Sequence, residues 1–110
     1  MGLRTTQVDL GAENLIAASK GKSKIAVEIK SFVSPSLLNE LEKTIGQMRL
    51  YSFALSKRDS RRVLHLAIPL RVFNTLKADP ELFEFIRTEK FNLIIYNAQT
   101  GGIEQWLEMN

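Results

Sequence analysis

The order of elements along the chain predicts an α/β fold built on a mixed sheet flanked by helices. Three observations carry that expectation: strand-type runs at residues 7–10 and 25–33, a long helical period of apolar residues from Leu37 to Leu55, and a continuous apolar run at 63–68 stopped by Pro69.

Residues 7–10 alternate polar and apolar and are ended by Gly11, which suits a short strand; the apolar piece at 14–18 has no period that assigns it. Residues 20–24, with three lysines around Gly21, read as an exposed basic turn. The run at 25–33 is rich in β-branched and aromatic residues and reads as a buried strand with charges at alternate positions, so Glu28 and Lys30 share a face. Ser34-Pro35 is a helix start, because the hydroxyl can accept from a free amide and proline at the first helical position gives up no bonded donor. Leu37, Leu38, Leu41, Ile45, Met48, Tyr51, Phe53, Ala54 and Leu55 then follow the helical period of a long core helix.

Residues 57–62 form a polar, arginine-rich loop, and residues 63–68 have the length and apolarity of a central strand. Short helices are expected at 72–76 and 82–86, on either side of Asp79-Pro80. A strand follows at 91–96, a turn at 97–102, and an antiparallel edge strand at 103–107.

A chain of 110 residues, 45% hydrophobic and 25% charged, is sized for a single domain over residues 1–110. With no cysteine and one histidine, His65, thiolate and multi-histidine metal sites are excluded, so a metal would need oxygen ligands. No apolar run approaches the roughly 20 residues of a membrane helix and no signal-peptide order opens the chain, so the expected location is the cytoplasm, with no membrane partner. Residues 1–78 hold thirteen Lys and Arg against six Asp and Glu, and residues 79–110 hold two against six. The basic portion suits an acidic partner, of which a phosphate backbone is the commonest.

An acid and a base at alternate positions of an apolar strand are costly to bury. Asp9 precedes Glu28 by nineteen residues. If their strands were adjacent, both carboxylates would reach one pole, where a cation between them relieves their repulsion. Asp9 followed by Glu28-Ile29-Lys30 resembles the PD-(D/E)xK nuclease signature, with Val8 where that family often has proline. The helix after it carries Gln47 and Tyr51, four apart on one face, and resembles the Gln-x-x-x-Tyr element of RecB-like members. Residues 8–13, 25–32, Gly46-Gln47 with Tyr51, and residues 62–69 together resemble the XisH family, cyanobacterial controlling factors for excision of the fdxN element. The similarity extends from about Val8 to Trp106.

The resemblance implies a restriction-endonuclease-like fold and a part in site-specific DNA excision, with DNA, an XisI-type protein and a site-specific recombinase as partners. It also implies an N-terminal helix that is missing or shortened here, since eight residues precede Asp9. On this reading Asp9, Glu28 and the Ile29 carbonyl hold Mg²⁺ or Mn²⁺, Lys30 orients the attacking water, and Gln47 and Tyr51 support the site. Lys57, Arg58, Arg61 and Arg62 are the candidate nucleic-acid contacts. The alternative is a non-catalytic adaptor that keeps the fold and works through a protein partner. Glu13 is expected to be a solvated acid and His65 a core histidine donating to a carbonyl. Trp106, Phe83, Phe85 and Phe91 are expected in the core or at an interface between copies, which an edge strand ending in Trp106 would suit.

Overall fold

The structure, a computed structural model, describes residues 4–10 and 13–109, with side chains from Leu15 to Met109. Its elements run β1 (Arg4–Leu10), β2 (Glu13–Lys20), β3 (Ser23–Ile29), α1 (Leu37–Arg58), β4 (Val63–Pro69), α2 (Leu70–Lys77), α3 (Pro80–Thr88), β5 (Asn92–Tyr96) and β6 (Ile103–Leu107). The six strands form one mixed sheet in sequence order. The pairs β1–β2, β2–β3 and β5–β6 are antiparallel, while the α1 crossover joins the sheet neighbours β3 and β4. The chain divides into two compact units, one of residues 1–28 and 34–65, the other of residues 29–33 and 66–110.

In the first unit, the unassigned piece at 14–18 is part of β2, paired on both sides, and it buries Leu15, Ala17 and Ala18. Burial on both faces of a two-sided strand erases the alternation by which strands are read, which is why no period was visible. Gly21 closes the β2–β3 turn at φ +61, a left-handed position that glycine adopts without strain. The expected end of β1 at Gly11 lies outside the described residues.

Helix α1 starts later than Ser34-Pro35 predicts. Its N-cap is Ser36, whose hydroxyl accepts from the Asn39 amide at 3.2 Å, while the Ser34 hydroxyl accepts from the Ser36 amide at 3.3 Å. Two serines compete for the cap, and the one facing three free helical amides wins. The buried stripe is Leu41, Thr44, Met48, Tyr51 and Leu55, alternating three and four apart. Leu38 and Phe53, expected in it, are exposed. Phe53 stands two residues from Tyr51, which turns it about 200° around the axis and off that stripe. Thr44 is buried because its hydroxyl donates back to the Glu40 carbonyl at 2.8 Å.

In the second unit the expected helices are present, each longer at both ends than the apolar residues alone mark out. Asp79 caps α3 by accepting from the Leu82 amide at 3.1 Å, with Pro80 in the first turn. The core holds Ile68, Val72, Phe73, Leu76, Ile86 and the Leu93, Ile94 and Ile95 run of β5. Phe83 packs edge-on to Phe73 with ring centres 6.0 Å apart, and Phe91 is buried, whereas Phe85 is exposed. Trp106 is half-buried on β6, opposite Ile94. Asn92 is buried and accepts from the Met109 amide at 2.8 Å, which ties the end of the chain to β5.

Candidate active site

The site is built in the first unit from β3 and α1. Glu28 is half-buried near the end of β3, and the Tyr51 hydroxyl on α1 donates to its Oε2 at 3.4 Å. Tyr51 is 5% exposed, so its ring is fixed in the core and its hydroxyl is delivered to the carboxylate with little rotamer freedom to lose. Gln47 stands one turn earlier on the same face of α1. Its Oε1 is buried and finds no hydrogen-bond partner among the described residues. An acceptor left so costs roughly 1–3 kcal/mol, which a bound water, metal-held water or substrate donor would recover.

Asp9 lies in β1 opposite Asn14. The strand expectation needs correcting here, because β2 runs between β1 and β3 and the two acidic positions are not on adjacent strands. Two strand spacings amount to about 10 Å. Their levels differ by one residue. Asn14 is two residues from Ile16, and Glu28 is one residue past Val27, the partner of Ile16. Asp9 and Glu28 therefore stand at the same end of the sheet, but the register continues Glu28 to Leu15 and Val8, so the Asp9 and Glu28 positions fall on opposite faces and the pairing does not bring them to one pole. The side chains of Asp9 and Glu13 lie outside the described residues.

The expected strand to Val33 ends at Ile29. Ile29 is 52% exposed, and Lys30 follows the strand, half-buried, its amide donating to the Ala67 carbonyl at 3.0 Å. Two residues on, Phe32 takes φ +54, a left-handed conformation costing a non-glycine residue roughly 1–2 kcal/mol. Its buried ring and the Arg71 guanidinium, which donates to the Ser31 and Phe32 carbonyls, hold it there. This bend turns the chain out of the sheet directly after the Glu-x-Lys positions. The sequence carries no signal for it, since phenylalanine is an ordinary strand residue.

Lys57 and Arg58 are exposed in the last turn of α1, with the Lys57 ammonium 5.6 Å from the Phe53 ring centre. Arg61 is 74% exposed at its side chain and lies 3.8 Å from Asp59. Arg62 is placed differently, with its side chain 15% exposed. It donates to Asp59 at 2.9 Å and to the Ala18 and Ile25 carbonyls at 3.2 and 3.1 Å. His65 is 1% exposed, and its Nδ1 donates to the Val63 carbonyl at 3.1 Å, an oxygen that can only accept.

Every donor available to a metal here is oxygen, a set that suits a hard divalent ion. Among the described residues no three acidic or histidine side chains converge on one point. In the first unit a metal would be held by Glu28, with water completing the shell; the orphaned Gln47 oxygen is suited to accept from such a water. No helix among the described residues is long and apolar enough to cross a membrane.

A mixed six-stranded sheet with a long crossover helix and a carboxylate braced by that helix define an α/β protein with a polar site at one end of its sheet. The family model of the XisH protein matches residues 1–104, and the chain belongs to the XisH family. It is similar to the crystal structure of an XisH family protein from Nostoc punctiforme PCC 73102, at 34% identity and a TM-score of 0.85, over 97% of this chain and 89% of that one. A fdxN element excision controlling factor protein from Anabaena variabilis is 33% identical, with a TM-score of 0.85, over 97% of this chain and 88% of that one. No curated protein matches.

Proposed function

We propose that this protein takes part in site-specific DNA excision as an fdxN element excision controlling factor, through a Mg²⁺- or Mn²⁺-dependent endonuclease centre of PD-(D/E)xK type. Family membership and the Anabaena variabilis relative support the first part. The observation that carries the second is the Tyr51 to Glu28 hydrogen bond, with the orphaned Gln47 oxygen one helical turn from Tyr51, a polar arrangement in a core helix that packing alone does not call for.

Glu28 supplies the negative charge that draws a cation, Asp9 adds to it from the same end of the sheet, and Tyr51 fixes the Glu28 carboxylate so that little reorganisation is needed on binding. Gln47 accepts from a water at the site and so orients it. Lys30, two residues from Glu28, places a compact ammonium beside the scissile phosphate, where it offsets the charge that develops on the phosphate oxygens. The metal, when bound, lowers the pKa of a water and polarises the phosphodiester. A plasmid-nicking assay with Mg²⁺ tests this reading: the wild type nicks, Asp9→Ala and Glu28→Ala do not. Nicking that survives both substitutions overturns it.

A second reading has its own observation. Leu50 and Phe53 are 70% and 65% exposed on α1, an apolar strip suited to an adaptor that acts through a protein partner, such as an XisI-type protein. On that reading Leu50→Ser with Phe53→Ser abolishes co-purification with the partner, while Glu28→Ala leaves it intact.

A further inference from the structure

Arg62 brings together two basic segments that are distant in sequence. Residues 20–24 and 57–62 hold seven Lys and Arg against one carboxylate, Asp59. Ala18 and Ile25, whose carbonyls accept from Arg62, are a directly opposed pair at the base of the β2–β3 turn. With Asp59 as its third partner, the guanidinium bolts the loop after α1 to the hairpin. The one acid of the cluster is thereby engaged internally, at 2.9 Å from Arg62 and 3.8 Å from Arg61. Lys22, Arg58 and Arg61 are exposed around this bolt, with Lys24 half-buried beside them.

We propose that this pole is a clamp for the phosphate backbone of duplex DNA, with Lys22, Lys24, Arg58 and Arg61 as its contacts and Arg62 as the residue that positions them. The inference rests on the reading of the protein as DNA-acting. Holding like charges together in advance is costly and is recovered when an anion arrives, and fixing them to a hairpin removes the ordering cost that flexible side-chain clusters incur on binding. The spacing also suits a duplex. Four residues of β3 separate Lys24 from Glu28, about 13 Å, close to four base-pair steps of axial rise at roughly 3.4 Å each. A duplex held at the clamp with its axis along β3 thus extends to the level of Glu28.

The test is fluorescence anisotropy with a labelled 20-bp duplex of arbitrary sequence, in EDTA, between 50 and 200 mM salt. The wild type binds, and Lys22→Gln with Lys24→Gln and Arg61→Gln lowers affinity at least tenfold at 100 mM salt and reduces the slope of log K against log salt by about 2.7, near 0.9 for each contact removed. Circular dichroism melting checks that the variant is folded; if it is not, the single substitutions Lys22→Gln and Arg61→Gln, both at exposed positions, each reduce the slope by about 0.9. Unchanged affinity and slope in the folded triple and single variants overturn the proposal, and so does a wild type that fails to bind duplex at 50 mM salt. Binding in EDTA is independent of any metal-dependent nicking, so the clamp and the nuclease reading are scored separately. A wild type that binds through the clamp but does not nick leaves the clamp standing and removes the nuclease centre.

Discussion

The two units of the molecule use their interiors differently. The first, with ten basic and six acidic residues, places polar groups in or against its packed core: Thr44, Tyr51, the Gln47 oxygen and the Arg62 guanidinium. The second, with five basic and six acidic residues, fills its core with Ile68, Val72, Phe73, Leu76 and the β5 run, and its buried Asn92 is satisfied by the Met109 amide. Apolar burial raises stability in proportion to area, whereas buried polar groups raise it only when fully paired. The contrast teaches that the first unit keeps polar groups inside an apolar core that packing does not require, while the second fills its core with carbon.

The sharpest way to break that contrast is Leu93→Ala. Leu93 is 1% exposed, so the lost transfer energy and the cavity together cost about 2–5 kcal/mol, read as a fall in the denaturant midpoint. Next in size is Arg62→Ala, which removes charge-assisted hydrogen bonds to two carbonyls and to Asp59 and costs about 1.5–3 kcal/mol; Arg61→Ala, at an exposed position, changes stability by less than about 0.5 kcal/mol in the same measurement. Gln47→Leu runs the other way. Deleting an orphaned buried acceptor raises stability by about 1 kcal/mol while lowering metal-dependent nicking, a trade expected only of a functional group. The smaller gain is Gly46→Ala: an added Cβ meets nothing within 4 Å, so the helix gains about 0.4–1 kcal/mol by reducing the freedom of the unfolded chain.

Much of the fold was legible because apolar periods report burial directly. The long helix, the central strand with its proline stop, the two short helices and the closing hairpin are each marked by such a period or by turn residues. Strand β2 was not, since burial on both faces leaves no alternation, and with it went the true spacing between Asp9 and Glu28. The Glu28 and Tyr51 pairing was legible, because four-residue spacing on a helix and a charge in an apolar strand are local signals. The Arg62 bolt and the left-handed Phe32 were not. Both depend on contacts across 30 or more residues, Arg62 to Ala18 and Arg71 to Phe32, and an arginine in a loop looks the same in sequence whether it is solvated or buried against carbonyls.

Glu28, braced by Tyr51, is proposed as a metal-binding carboxylate and not a surface acid with a neighbour. Calorimetric titration of Mg²⁺ and Mn²⁺ into the wild type, Glu28→Gln and Tyr51→Phe tests it most directly. Saturable binding in the wild type, lost in Glu28→Gln and weakened in Tyr51→Phe by about 10- to 100-fold, is the predicted result. Equal binding by all three folded proteins, or no binding by the wild type, contradicts it.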